Sequence, residues 1–535
     1  MILCSLKTEL LVLVRELAIF LFIRLADLLF TLWFWRTPKA KLPEVTDPLL
    51  LEPATLVASR IRAGKVTNAL FLDSLQEGRL SRIHSFIHPL IHPRTLPAIC
   101  TTPNQGVQGD IGWASFEGRE ALSKIEYRIG HSSSVLRVWP GCVQDCGSFY
   151  SKGRRSPEDA QVVALMRKAG AIPVAISSVP ELCLSLECNS VLHGTTCNPY
   201  DSNRSPGGSS GGEASLLGAA ASVIGLGTDL AGSIRHPAGN CGVFGHKPTH
   251  GIVSRHGLYP DRGDAVGKFS TPGPMCRYAA DLLPMLRVMA GENAPRLALD
   301  SPVDLKKLKV FYLVDDGNKY IGRLQKKFSQ AVLDAVACLE PFCEARPRQV
   351  SFEELPRASR IWMATVRSGA PPPFAEVIKN YTGKLNPLTE LALKLVGRSH
   401  HTVAAIMVAL REREKDFTDP ARIADLTAQG QRFVRKLEEL LQDGDAVLVM
   451  PAAGFGAPGY HGQWLTNMDN VNYTCLFNTA MVPATACPLY LDKRGLPVGV
   501  QVVAARYKDR LCLAVARELS SKFGGWRAPG TRTSA

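Results

Sequence analysis

Missing from this sequence are a CxxC pair, a Cys/His spacing that suits zinc, and a Lys/Arg cluster interleaved with aromatics. The first two absences leave no zinc framework. The third removes the usual footprint of a nucleic-acid binder, despite a formal net charge of +14. There is no internal repeat and no low-complexity run. What the chain does have is length and apolar content. Its 535 residues are 46% hydrophobic, an ordinary globular share that excludes wholesale disorder. Such a chain can bury a sizeable core, in one large domain or several smaller ones. The 14 cysteines are scattered and read as buried thiols in a reducing compartment.

One long hydrophobic run stands out, "LLVLVRELAIFLFIRLADLLFTLWFWR" from Leu10 to Arg36. It is too long for a signal-peptide core, and no small-residue cleavage site follows it. Glu9, Glu16, Arg24 and Asp27 fall on one side of a helical wheel. Residues 1–36 therefore read as a membrane-anchoring helix, either lying in the interface or spanning with a tilt. Trp33, Trp35, Arg36 and Lys39 suit an interfacial belt. A buried core helix is the alternative. Residues 37–53 are Pro-rich and read as a linker. Ala54 to Gly64 reads as a helix closed by its glycine. From Asn68 to Pro140, prolines and glycines occur without clear periodicity. Order returns at "SPEDAQVVALMRKAGAIPVAIS", where Ser156 and Pro157 start a helix, Gly170 stops it, and a short buried strand follows. A helix followed at once by a strand suggests α/β layering.

The stretch "GGSSGGEASLLGAAASVIGLGTDLAGSIRHPA" begins at Gly207. Gly/Ser runs are common flexible linkers. Linkers border polar, aperiodic sequence, and this one runs straight into small and apolar residues. It predicts a buried helix from Glu213 to about Ser222, a buried strand over Val223 to Asp229, and a sharp turn. A serine at the end of a strand in an α/β protein is well placed for chemistry.

"GGSSGGE", "GTDLAGSIRHPA" and "GVFGHKPT" together resemble the amidase signature family. Ser209 and Ser233 stand 24 residues apart, matching that family's relay serine and nucleophile. The resemblance extends over Glu181 to Asp201, Thr271 to Gly291 and Tyr473 to Trp526. Within the family, the anchor, the linker and "GPMCRYAADL" are most similar to the second type of fatty-acid amide hydrolase. The resemblance implies an α/β amidase-signature fold, a mixed central sheet covered by helices, with the N-terminal membrane helix apart. The amidase domain would run over 54–526, with a tail at 527–535. It also implies a Ser-Ser-Lys relay without metal or cofactor. Ser233 would be the nucleophile and Ser209 the relay. Backbone N–H groups of Leu230, Ala231, Gly232 and Ser233 would hold the oxyanion. The family usually has glycine where Ala231 stands, so the backbone there must not need a positive φ. Asp229 and Arg235 are expected to brace the loop as an ion pair. Ser210 and Thr228 are expected to supply hydrogen bonds rather than catalysis.

The family carries its lysine at the end of a strand, just before the segment that Gly141 to Ala160 resembles. No matching segment exists here, and counting back lands on Ser134. Lys124 and Lys152 are the nearest lysines; the first reads as helical and exposed, the second as part of a turn. Residues 68–140 are therefore expected to be atypical and loosely attached, lacking the family's strand and lysine segment. They read as an aberrantly spliced or frame-shifted stretch, with a diverged insertion as the alternative. The expectation is a membrane-anchored serine amidase acting on fatty-acid amides, slowed by the missing base. It would sit on intracellular membranes with its amidase body facing the cytosol. Its partners would be a lipid-like small-molecule substrate, the membrane and, as an option, a second copy in a homodimer. Two alternatives stay open: a non-catalytic relative that keeps the scaffold, and an amidotransferase subunit acting on a tRNA-linked substrate.

Overall fold

Central strands buried on both faces carry nearly continuous apolar runs rather than an alternating pattern. "DAVLVMP", "ATACPLYL" and "PVGVQVVA" are such runs, and each is a strand. The computed structural model describes residues 45, 51–62, 127–131, 142–317, 325–452, 457–458 and 470–530. In chain order its strands are β1 (Tyr127–His131), β2 (Ala171–Ile176), β3 (Asn189–Ser190), β4 (Gly194–Thr195), β5 (Ile224–Asp229), β6 (Phe244–Lys247), β7 (Thr271–Cys276), β8 (Leu308–Tyr312), β9 (Arg348–Gln349), β10 (Asp445–Pro451), β11 (Ala484–Leu491) and β12 (Pro497–Ala504). β3 and β4 form a separate small ribbon. The other ten make one sheet in the order β2-β1-β5-β7-β6-β11-β12-β10-β8-β9. The sheet is mixed: β1 runs parallel to β2 and β5, whereas β7 is antiparallel to β5 and β6. β11 and β12 are antiparallel, and β8 and β10 parallel.

Helices cover this sheet. Ala279–Ala290, Lys326–Leu339 and Asp509–Phe523 bury apolar faces that include Leu282, Met285, Leu286, Ala331, Ala335, Leu513 and Leu519. Ala358–Arg367, Pro420–Leu441 and Cys475–Thr479 pack against one another around Phe433 and Phe477, whose rings meet edge to face. The Ala54–Arg62 helix is docked by a distant carboxylate. Asp281 accepts hydrogen bonds from the N–H groups of Ala54 and Thr55, each at 3.0 Å, so it caps that helix from across the domain.

The α/β expectation with a mixed, helix-covered sheet holds. Residues 1–36 lie outside the described residues. Among those described, no helix is long and apolar enough to cross a membrane. One expectation needs correction. The helix expected to start at Ser156 starts at Gln161, because the Ser156 hydroxyl turns forward to donate to Glu158 O instead of capping N–H groups. Part of 68–140, the stretch expected to be atypical, is also described. Tyr127–His131 falls inside that range and is β1, paired on both sides. β1 fills the place between β2 and β5, where a gap would leave two rows of backbone groups unpaired. The rest of 68–140, including Ser134, lies outside the described residues.

Candidate active site

The Gly/Ser stretch is packed core, not linker: Ser205 to Ser215 are all buried. It runs into the Gly211–Gly218 helix, then β5, then the turn Leu230–Ser233, then the short Arg235–Asn240 helix. Glycine lets the first helix sit close to the sheet. A Cβ on Gly225 of β5 would fall 2.0 Å from Glu213 Oε1. Glu213 itself is fully buried, and burial pushes its carboxyl well above the ordinary carboxylate range. Its Oε2 accepts from the Ser177 hydroxyl at 3.1 Å, while Oε1 has no partner.

The two expected serines lie on adjacent segments. Ser233 is half-buried in the turn after β5; Ser209 is buried and follows a cis Gly208–Ser209 bond. The Ser210 N–H donates to Ser233 O at 3.1 Å and ties the two segments together. Among the described residues, no hydrogen bond joins the Ser209 and Ser233 hydroxyls directly. Ser210 Oγ accepts from the Thr228 N–H at 3.3 Å.

Among the described residues, no acceptor takes the N–H of Leu230, Ala231 or Ser233. Gly232 differs, because its N–H donates to Asp229 Oδ1 at 2.7 Å. Its role here is conformational: φ is +123°, and an added Cβ would lie 2.3 Å from Thr474 Oγ1. Ala231 is not among the non-glycine residues with positive φ, so its methyl group is tolerated there.

Asp229 and Arg235 brace this turn from beneath. Both side chains are fully buried. Arg235 Nε and Nη2 each donate to the Asp229 carboxylate at 3.0 Å. Burial alone would raise that carboxyl, but the Arg235 guanidinium overrides it and holds it well below the usual range. Arg235 also donates to Gln501 Oε1, Thr474 O and Asn478 Oδ1. Thr474 Oγ1 donates to Ala231 O at 2.6 Å, so it fixes the carbonyl side of the turn. His236 Nε2 lies 3.1 Å from the same Oγ1. The hydroxyl proton is spent on Ala231, so His236 Nε2 carries a proton and donates. Burial, helped by Arg235, pushes the His236 pKa down to about 3, so the ring is neutral. Thr474, Asn478 and Gln501 escaped the sequence reading, although all three lie in a segment it matched to the family. Among the described residues, no group of three or more His, Cys, Asp or Glu side chains could hold a metal ion.

Of the two candidate lysines, the one described does not stand at the site. Lys152 is exposed in a turn beside the Phe149–Ser151 helix, and Lys124 lies outside the described residues. The buried lysine that sequence reasoning missed is Lys247, in the "GHKPT" motif at the end of β6. Its Nζ donates to Pro248 O at 3.1 Å, and burial, with Arg235 nearby, lowers its pKa to about 7. Between pH 7 and the unfolded value near 10.5, the unfolded chain binds the extra proton, so Lys247 makes stability rise with pH. Lys247→Met should flatten that slope by up to ~1.4 kcal/mol per pH unit. Urea unfolding of both chains at pH 7, 8 and 9 tests this, and parallel profiles would count against it.

Comparison with known proteins agrees with this geometry. The amidase family model matches residues 140–513. Fatty-acid amide hydrolase 2-A of Danio rerio is 37% identical over 507 residues, 92% of this chain and 93% of that protein. Fatty-acid amide hydrolase 2 of Homo sapiens is 38% identical over 497 residues, 91% of this chain and 92% of that one. Among solved structures, 6-aminohexanoate cyclic dimer hydrolase superposes with a TM-score of 0.68 at 22% identity, covering 90% of this chain and 99% of its own. With the family match spanning the serine segment and relatives above 30% identical along almost the whole length, the chain belongs to the amidase signature family.

Proposed function

We propose that this protein is a serine amidase of long-chain acyl amides, held at intracellular membranes by residues 1–36 with its amidase body in the cytosol. The observation that carries the amidase reading is the turn at the end of β5. A half-buried Ser233 stands there beside three N–H groups that no described residue accepts. Ser233 Oγ attacks the amide carbonyl carbon and gives its proton to Ser209 Oγ, which passes its own on to a base. The N–H groups of the turn hold the oxygen as it gains charge. The proton returns to the leaving nitrogen, and water then cleaves the acyl-serine ester. The lipid-amide preference is supported by the similarity to the two fatty-acid amide hydrolases. A substrate of that kind resides in the bilayer, where an anchored enzyme meets it.

The family's relay ends in a lysine kept neutral by burial. The sequence has no lysine in the family's context, so turnover is proposed to be slow. The assay is amine release from a long-chain acyl amide, with a fluorophosphonate probe reporting on Ser233. Placing a Val-Lys-Asp segment at the family position should raise turnover by ~10²–10⁴-fold, the usual worth of a general base. Ser233→Ala should then abolish both turnover and labelling. Labelling that persists in Ser233→Ala would rule out this nucleophile, and fast turnover without the added lysine would rule out the missing base.

A further inference from the structure

Two thiols meet beside the serine segment. Cys146 Sγ and Cys183 Sγ lie 4.0 Å apart, although the residues are 37 positions apart in the chain. Their backbones are joined as well, because the Leu182 N–H donates to Cys146 O at 2.8 Å. Cys146 is fully buried, whereas Cys183 is half-buried and partly open to solvent. The backbone at this contact is strained. Cys146, Leu182 and Cys183 have φ of 54°, 49° and 59°. Residues other than glycine seldom hold that conformation, and where they do, they gather at sites and switch regions.

Of the two thiols, Cys183 is placed to react first. Arg262 Nη2 donates to Leu182 O, which brings a guanidinium to the neighbouring residue. The Cys146 thiol lowers the Cys183 pKa from its ordinary value, burial opposes it, and the Arg262 charge lowers it further. Reactive cysteines sit in such electropositive, partly exposed surroundings. The segment carrying Cys183 also lies directly against the residue before Ser209. A Cβ on Gly208 would fall 2.5 Å from Ser185 O and 2.9 Å from Leu186 C. At its other end, Glu181 Oε2 accepts from the N–H and the hydroxyl of Thr402 at 2.7 and 3.0 Å, which ties the segment to the Val403–Arg411 helix.

We propose that Cys146 and Cys183 are a reversible redox pair, joined as a disulfide by a peroxide, and that this bond moves the segment packed on Ser209. The Cys183 thiolate attacks one peroxide oxygen. The O–O bond breaks, water leaves with the thiol proton, and Cys183 becomes a sulfenic acid. The Cys146 sulfur then attacks the Cys183 sulfur. The S–S bond forms, the S–O bond breaks, and a second water departs with the Cys146 proton. Each sulfur gives up one electron, and the peroxide is reduced to two waters. Closing the bond draws the sulfurs together by about 2 Å. Cys146 is enclosed on all sides, so the turn at 181–186 does most of the moving. A dithiol reverses the bond by exchange, as for redox-sensing pairs in reducing compartments. The effect on activity rests on the serine-amidase reading, whereas the bond itself does not.

The full chain is treated with hydrogen peroxide, alkylated, digested with trypsin and read by mass spectrometry. Trypsin leaves Cys146 in peptide 138–152 and Cys183 in peptide 169–204. These peptides should be cross-linked, and dithiothreitol should part them. The cross-link should be missing from both Cys146→Ser and Cys183→Ser. No cross-link in the unsubstituted chain, or one that survives either substitution, would overturn the proposal. Fluorophosphonate labelling of Ser233 reads the consequence. Peroxide should slow it by about 10²-fold, the scale of a ~1 Å misplacement, and dithiothreitol should restore it. Cys183→Ser should label at the parental rate with or without peroxide. Cross-linking that leaves labelling unchanged would also overturn the proposal. A chain that cross-links but whose Ser233 never labels would uphold the redox pair and sink the amidase reading. Labelling without any cross-link would do the reverse.

Discussion

Arg235→Met is expected to bring the protein to the edge of unfolding. The substitution strips a fully buried Asp229 of its counter-charge and removes the donors that hold Asn478 Oδ1, Gln501 Oε1 and Thr474 O. Breaking a buried pair from one side costs ~3–5 kcal/mol, because the remaining charge is left uncompensated. A typical domain has only ~5–15 kcal/mol in hand. Arg235→Lys keeps the charge but cannot make the forked contact, so its loss should be intermediate. Asp229 adds an acid limit. Its folded pKa is depressed, so its contribution is fully present above the ordinary value of 3.8 and declines as pH falls below it. Thermal unfolding of both variants at pH 7 and pH 3 is the measurement. A melting temperature for Arg235→Met within a few degrees of the parent would show that the pair is dispensable.

Gly232→Ala should leave the fold standing and disable the site. The new methyl would lie 2.3 Å from Thr474 Oγ1 and 2.6 Å from His236 Cδ2, at a φ of +123° that alanine seldom adopts. The turn must shift to admit it, and the N–H groups of Ala231 and Ser233 move with it. Losing one oxyanion donor typically costs ~10²–10³-fold. The rate of fluorophosphonate labelling at Ser233 should fall by at least about 10²-fold on that basis, with only a modest drop in melting temperature. Labelling at the parental rate would mean that the turn does not organise Ser233.

Local pattern made part of this legible. The small residues of 207–233 marked a close-packed helix, strand and turn, because crowding leaves a signature in the residues that are crowded. The pairing of Asp229 with Arg235, six residues apart, was legible for the same reason. β1 was not. Five residues, "YRIGH", have no periodicity of their own, and they are a strand because β2 and β5 present backbone on either side. The roles of Thr474, Asn478 and Gln501 were hidden by distance along the chain.

That distance has a consequence for how the protein is made. Arg235 leaves the ribosome well before its partners, with Thr474, Asn478 and Gln501 following 239, 243 and 266 residues later. At ~5–20 residues per second, the interval is on the order of tens of seconds. Throughout it, the turn after β5 has Asp229 to lean on but nothing to fix its far side. β11 and β12, which seal the middle of the sheet, are made in the same last stretch. The nascent chain therefore carries an unfinished sheet edge and a half-solvated guanidinium until translation is nearly over. Chaperone occupancy during synthesis should peak between these two points and fall once β12 has emerged.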